Sequence, residues 1–242
     1  MRMLVTRAEP DAAETAARLD ALGITPVIAP LLERATLHTS LPDGQGFAAL
    51  ALTSSNALRA LEERGALDRF RALPVFAVGD RTAEAARAAG FSRVTSGGGT
   101  LAHLVEEIAA AGLTGPVFYP TARHQSGDLA QELAPFGIMV VAAKVYEMRA
   151  ASHLGADILA GLEDGTIGAA LLYSKRTSEV FADLARALPA PIRARLGLLC
   201  LSEQVAAPLM EAHFTRIALA DYPSEEAMMT LALSFARAQN RS

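Results

Sequence analysis

ALALTSSNALRAL at 49–61 and PVFAVGDRTAEAARAAGFSRVTSGGGTL at 74–101 are the two stretches that decide the fold. Each begins with a short apolar run, breaks at small polar residues and continues as a helix. In the first, 49–52 is followed by Thr53, Ser54, Ser55 and Asn56, then a helix over 57–64. In the second, 75–78 is followed by Gly79, Asp80, Arg81 and Thr82, then an alanine-rich helix over 83–89. Strand, hydroxyl or glycine turn, then helix N-terminus is the layout of a parallel α/β sheet. Such turns gather free backbone N–H groups at the carboxyl ends of the strands, where these sheets bind ligands. The expected ligand is a polyanion held at several turns.

Outward from this block the same punctuation recurs. Residues 3–6 form a short strand, 7–10 turn into a helix over 11–22, Gly23 stops it, and 25–28 is a second strand. The segment 31–39 runs on extended, and Pro42, Asp43, Gly44 and Gly46 read as a turn. Beyond the block, 96–100 leads into a helix over 101–111. Then 116–119 reads as strand, 120–128 as polar turn, 129–136 as helix and 138–142 as strand.

This later group echoes the opening one. Leu19 and Gly23 match Leu133 and Gly137, and Leu31-Leu32-Glu33 matches Val145-Tyr146-Glu147, all at one constant offset. The central block is echoed too. Residues 169–172 with Tyr173 and Ser174 repeat 50–54, and 198–201 with Ser202 and Glu203 repeat 75–80. Asp221, Tyr222, Pro223 and Ser224 stand where the glycine run stood, opening a helix over 225–238.

The order is therefore A, B, A′, B′, with matching punctuation and weak identity. If A′ completes the sheet of B, then A completes that of B′. This predicts two similar flavodoxin-like α/β domains with parallel sheets. One is discontinuous, 1–30 plus 151–242; the other, 44–140, is inserted in it. Extended linkers at 31–43 and 141–150 join them, forming a hinge with a cleft, a common place for a ligand.

Composition narrows the function. Half the 242 residues are hydrophobic and a fifth charged, which suits full cores and not disorder. No apolar run reaches a membrane span, and the N-terminus lacks the features of a signal peptide, so a cytoplasmic protein is expected. Cys200 is the single cysteine and lies in an apolar run, where a buried thiol is expected and a disulfide is excluded. Net charge is −4, without a basic block, which argues against nucleic acid. Lys144 and Lys175 are the only lysines, so the cationic side chains are nearly all arginines. Arginine's planar fork suits carboxylates. The five histidines are scattered without ligand spacing, and the Gly97-Gly98-Gly99 run lacks a P-loop lysine or a dinucleotide fingerprint. No metal and no cofactor is expected.

Four motifs carry a resemblance to a known family: LVTRAEP at 4–10, LTSSNAL at 52–58, FAVGDRTAEAARAAGF at 76–91 and KVYE at 144–147. With the A-B-A′-B′ order, they make the chain similar to uroporphyrinogen-III synthase over essentially its whole length. The resemblance implies a cofactor-free, two-domain enzyme, a cyclising lyase of haem biosynthesis. Its substrate is hydroxymethylbilane, a linear tetrapyrrole with eight carboxylates, and its product uroporphyrinogen III, formed with loss of water and inversion of ring D. Departure of the ring A hydroxyl gives an azafulvene. Ring D then attacks through its substituted carbon, and the resulting spiro intermediate fragments and recloses inverted. Spontaneous closure gives isomer I, so the enzyme must hold the chain for the spiro route.

Tyr146 matches the family tyrosine proposed to protonate or hydrogen bond the departing hydroxyl, and is the candidate catalytic residue. The alternative is a linker tyrosine packing at the hinge. Candidate substrate contacts are Thr53, Ser54, Ser55, Gly79, Thr82, Ser96 and Thr100 in one domain, and Arg7, Ser174 and Ser202 in the other. Helix capping alone would explain several of these residue types, though a capping turn can also bind. Tyr119, at a strand end, is read as packing. Two departures from the family stand out. Tyr173 replaces a common threonine, and Ser202 with Val205 stands where glycine and a hydroxyl are usual. Lys175 and Arg176 are placed to compensate. A monomer is expected; the rival reading is a non-catalytic two-lobed module that binds a small anion.

Overall fold

The computed structural model describes residues 1–124 and 127–239. The chain opens with β1 (Arg2–Val5), α1 (Asp11–Ala21) and β2 (Thr25–Ile28). Then β3 (Leu32–Thr36) leads into β4 (Ala49–Leu52), α2 (Ser55–Glu63), β5 (Val75–Ala77), α3 (Asp80–Ala88) and β6 (Val94–Ser96). Next come α4 (Leu101–Ala110), β7 (Val117–Ala122), α5 (Leu129–Leu133) and the long β8 (Val140–Ala150). The chain ends with α6 (Ala156–Glu163), β9 (Ile167–Leu172), α7 (Lys175–Ala185), α8 (Ala190–Arg195) and β10 (Gly197–Cys200). Last are α9 (Glu203–Glu211), β11 (Ile217–Leu219) and α10 (Glu225–Gln239). These elements fall into two compact units, Met1–Glu33 with Arg149–Ser242, and Arg34–Met148.

The first unit holds a parallel five-stranded sheet in the order β2-β1-β9-β10-β11. Helix α1 turns Ala12, Thr15, Ala16 and Leu19 inward at helical spacing, and Gly23 leaves the helix at φ 74°, a conformation glycine takes without strain. Those residues pack with Met3 and Val5 of β1 and with Met228 and Ala232 of α10. Cys200 is fully buried at the end of β10, and burial pushes its thiol up to about 12.

In the second unit the parallel strands run β8-β7-β4-β5-β6, with β3 added beside β8. Strand β4 is apolar throughout because helices cover both faces. Leu50 and Leu52 join the cluster of Leu58, Leu61 and Phe70, whereas Ala49 and Ala51 face Leu104, Ile108 and Leu129. Phe118 stacks on Phe70 with ring centroids 4.5 Å apart. If β7 and β8 are counted first, the strand order equals that of the first unit. The chain merely enters this sheet halfway along.

Two local expectations need correction. The segment from Pro120 does not open a turn: β7 continues through Pro120 to Ala122, beside Ala143 to Tyr146 of β8. Pairing of β7 with β4 has ended at Phe118, so the proline's missing N–H costs no bond on that side. The helices after the hydroxyl turns also begin earlier than read, at Ser55 and Asp80. Ser54 and Gly79 are the N-caps, and the polar residues after them are already helical.

Candidate functional site

In an open parallel sheet the connections diverge at one point, leaving a crevice at the carboxyl ends of the two central strands. In the second unit that point lies between β4 and β7. A cavity of about 380 Å³ opens there, walled by Thr53 and Ser54 after β4, Tyr119 and Thr121 on β7, and Tyr146 on β8. Among the described residues Val78, Gly99, Leu101, Ala122, His124 and Gly127 also line it.

The polar groups of this wall are held by one another. The Thr53 hydroxyl lies 3.0 Å from the Tyr119 phenol. Ser54 caps α2 by accepting from the Asn56 N–H at 3.2 Å, and its side chain lines the cavity together with the Tyr146 phenol. Tyr146 is only 7% exposed, and burial raises the pKa of its phenol against the opposing effect of Ser54. The phenol therefore stays protonated at neutral pH and remains a donor. Behind it, the Arg123 N–H donates to the Tyr146 carbonyl at 2.8 Å, and the Arg123 guanidinium pairs with buried Glu147 at 2.5 Å.

Of the residues expected from the sequence, Thr53, Ser54 and Tyr146 meet in this cavity. Thr100 caps α4 beside it, accepting from the His103 N–H at 3.2 Å. Gly79 sits against the neighbouring loop so closely that a Cβ there would lie 3.2 Å from the Gly99 Cα. Ser55, Thr82 and Ser96 are not part of the wall. Thr82 is buried in α3, and the Ser96 Oγ, at the end of β6, is buried without a hydrogen-bond partner. Tyr119, Thr121 and His124 were missed as site residues. A tyrosine read at a strand end is the available signal for the first of them, although β7 runs on past it to Ala122.

The same point of the first unit, between β1 and β9, is differently filled. Here Arg7 follows β1 and Tyr173 follows β9. The Glu225 carboxylate, at the start of α10, accepts from Arg7 at 2.9 Å, from Thr15 at 3.0 Å and from Tyr173 at 3.1 Å. The Arg7 guanidinium also pairs with Asp11 at 2.7 Å and lies 4.3 Å from the Tyr173 ring centroid. Burial, then the Glu225 charge, drives the Tyr173 pKa far up. Arg7 was expected to meet a ligand carboxylate, yet it already holds two from its own chain. Ser174 caps α7, accepting from the Thr177 N–H at 3.1 Å, whereas Ser202 heads α9 without a side-chain cap. Arg176 makes a loose pair with Glu179 at 3.8 Å, one turn along its own helix.

Among the described residues no group of three His, Cys, Asp or Glu side chains is placed to hold a metal ion. Among the described residues no helix is long and apolar enough to cross a membrane. The chemistry open to the cavity is thus that of hydroxyls, a protonated phenol and helix N-termini around an anionic or hydroxylated ligand.

The family model for uroporphyrinogen-III synthase matches residues 13–230. The chain belongs to the uroporphyrinogen-III synthase family. Members are cyclising lyases of haem biosynthesis, and that is the activity of this chain. The fold agrees with solved structures. A uroporphyrinogen-III synthetase from Helicobacter pylori superposes with a TM-score of 0.67 at 22% identity, covering 97% of this chain and 100% of that one. A mutant uroporphyrinogen III synthase from the extremely thermophilic bacterium Thermus thermophilus gives 0.55 at 18% identity, with both chains covered in full. Comparison with curated protein sequences gives no match.

Proposed function

We propose that the cavity between β4 and β7 is where hydroxymethylbilane loses its hydroxyl, with Tyr146 as the hydrogen-bond donor to the departing oxygen. Loss of the ring A hydroxyl together with the pyrrole N–H proton releases one water and leaves an azafulvene. A phenol that stays protonated stabilises the oxygen as charge grows on it, without being consumed. The single observation that carries this reading is the buried Tyr146 phenol, lining the switch-point cavity beside Ser54.

The remaining contacts are to carboxylates. The first-turn amide of α2 at Ser55, the N-cap of α4 at Thr100 and the loops at Gly79 and Ser96 offer N–H donors at the carboxyl ends of the strands, whereas the buried Thr82 already donates its amide to the Gly79 carbonyl. Ser174 and Ser202 head helices at the corresponding ends in the first unit. Arg7 is left out, because its charge is met by Asp11 and Glu225. We read each unit as flavodoxin-like, since both sheets follow the 2-1-3-4-5 order. The protein is taken to work as a cytoplasmic monomer without nucleic acid.

Replacing Tyr146 by Phe tests the assignment. Loss of a hydrogen bond made chiefly in the transition state should lower kcat about tenfold to a hundredfold and leave KM nearly unchanged. A variant with wild-type kcat would remove Tyr146 from the chemistry.

A further inference from the structure

We propose that His124, the basic side chain among the described residues of the wall, binds a carboxylate of the substrate; the proposal rests on reading the cavity as the substrate site. Among the described residues of the wall, the others are hydroxyl, glycine and apolar positions, none of which carries a positive charge. The neighbouring cation, Arg123, is engaged by Glu147. That same pair, with the bond from the Arg123 N–H to the Tyr146 carbonyl, ties the end of β7 to the strand that carries Tyr146. His124 is thereby set at the exposed mouth of the cavity, one residue beyond the tether.

The ligand class follows from the wall. A substrate with eight carboxylates meets hydroxyls and amides that hydrogen bond but carry no charge. A basic side chain at the mouth adds a charge-assisted partner for one of those carboxylates. The phenols of Tyr119 and Tyr146 lie on the two strands beside it. The carboxylates of Glu147 and Asp128 are engaged, by Arg123 and by the amides of Ala130 and Gln131.

The test uses the full chain and uroporphyrin I, a stable macrocycle with the same eight carboxylates, with binding read by fluorescence quenching. His124→Gln should raise Kd about threefold to fivefold, as expected for an exposed pair, and His124→Lys should restore the affinity. With hydroxymethylbilane, His124→Gln should raise KM and leave kcat in place. Thr53→Val serves as the control for the cavity itself. If Thr53→Val weakens binding while His124→Gln matches wild type, the histidine proposal fails alone. If neither variant changes binding, the cavity is not the substrate site and both readings fall.

Discussion

Replacing Glu225 by Ala should destabilise the protein by about 2 kcal/mol. The carboxylate accepts three hydrogen bonds, from Arg7, Thr15 and Tyr173, at 2.9, 3.0 and 3.1 Å. The Arg7 and Glu225 side chains are 21% and 18% exposed, so the pair is largely withdrawn from solvent. Hydrogen bonds to a charged group contribute about 1.5–3 kcal/mol each when counted singly. The sum is not reached here, for two reasons. Arg7 keeps Asp11 at 2.7 Å, so no uncompensated cation is left behind. Water also enters the space of the lost side chain and satisfies Thr15 and Tyr173 in part. Glu225→Gln keeps the shape and the acceptor oxygen and loses only the charge, so about half the effect is expected. For a chain of this length each kcal/mol moves Tm by about 2–4 °C, which places the alanine variant about 4–8 °C below wild type. Thermal unfolding followed by far-ultraviolet circular dichroism reads this directly. An alanine variant within a degree of wild type would show that the network contributes nothing to the fold, and would return Arg7 to the set of free ligands.

Three further outcomes follow from the same structure. Burial raises the phenol pKa of both Tyr146 and Tyr173 above the unfolded value, so the folded state holds these protons more tightly. Stability from this source is present below about pH 10 and is lost as pH rises beyond it; Tyr173→Phe should lessen the loss in alkaline urea titrations. Cys200 is fully buried with its thiol pushed up to about 12, so a thiol reagent at pH 8 should label it at the rate of unfolding, and rapid labelling of native protein would contradict its burial. Phe118, fully buried and stacked on Phe70, should cost about 3–5 kcal/mol on replacement by Ala; a chemical-denaturation shift below 1 kcal/mol would mean that the stack is not central to the core.

The strand-turn-helix units at 49–61 and 74–101 are legible because a short continuous apolar run gives way to helical spacing at a capping residue. The repeat of punctuation suggests which pieces share a sheet; the two sheets run β2-β1-β9-β10-β11 and β3-β8-β7-β4-β5-β6. What the sequence hid were effects of neighbours. Pro120 reads as a breaker in isolation, and only the end of the β4 pairing at Phe118 makes it tolerable inside β7. Arg7 reads as a free cation after a strand, because Glu225 lies far along the chain and meets it only through the fold. Thr53, Ser54 and Tyr146 could be named from the motifs. Tyr119, Thr121 and His124 could not, since the register that turns them toward one cavity is set by pairing of β7 with β8 and by the irregularity between Thr121 and Ala122. Tyr173 was noted as a departure from threonine. Its role, a phenol donating to Glu225 under a stacked guanidinium, appeared only in three dimensions.

Product-isomer analysis tests the central claim most directly. Freshly generated hydroxymethylbilane is mixed with the purified protein, the product is oxidised, and the porphyrin I and III isomers are separated by chromatography. The account predicts predominantly isomer III, formed faster than spontaneous closure. Isomer I alone, at the uncatalysed rate, would contradict it.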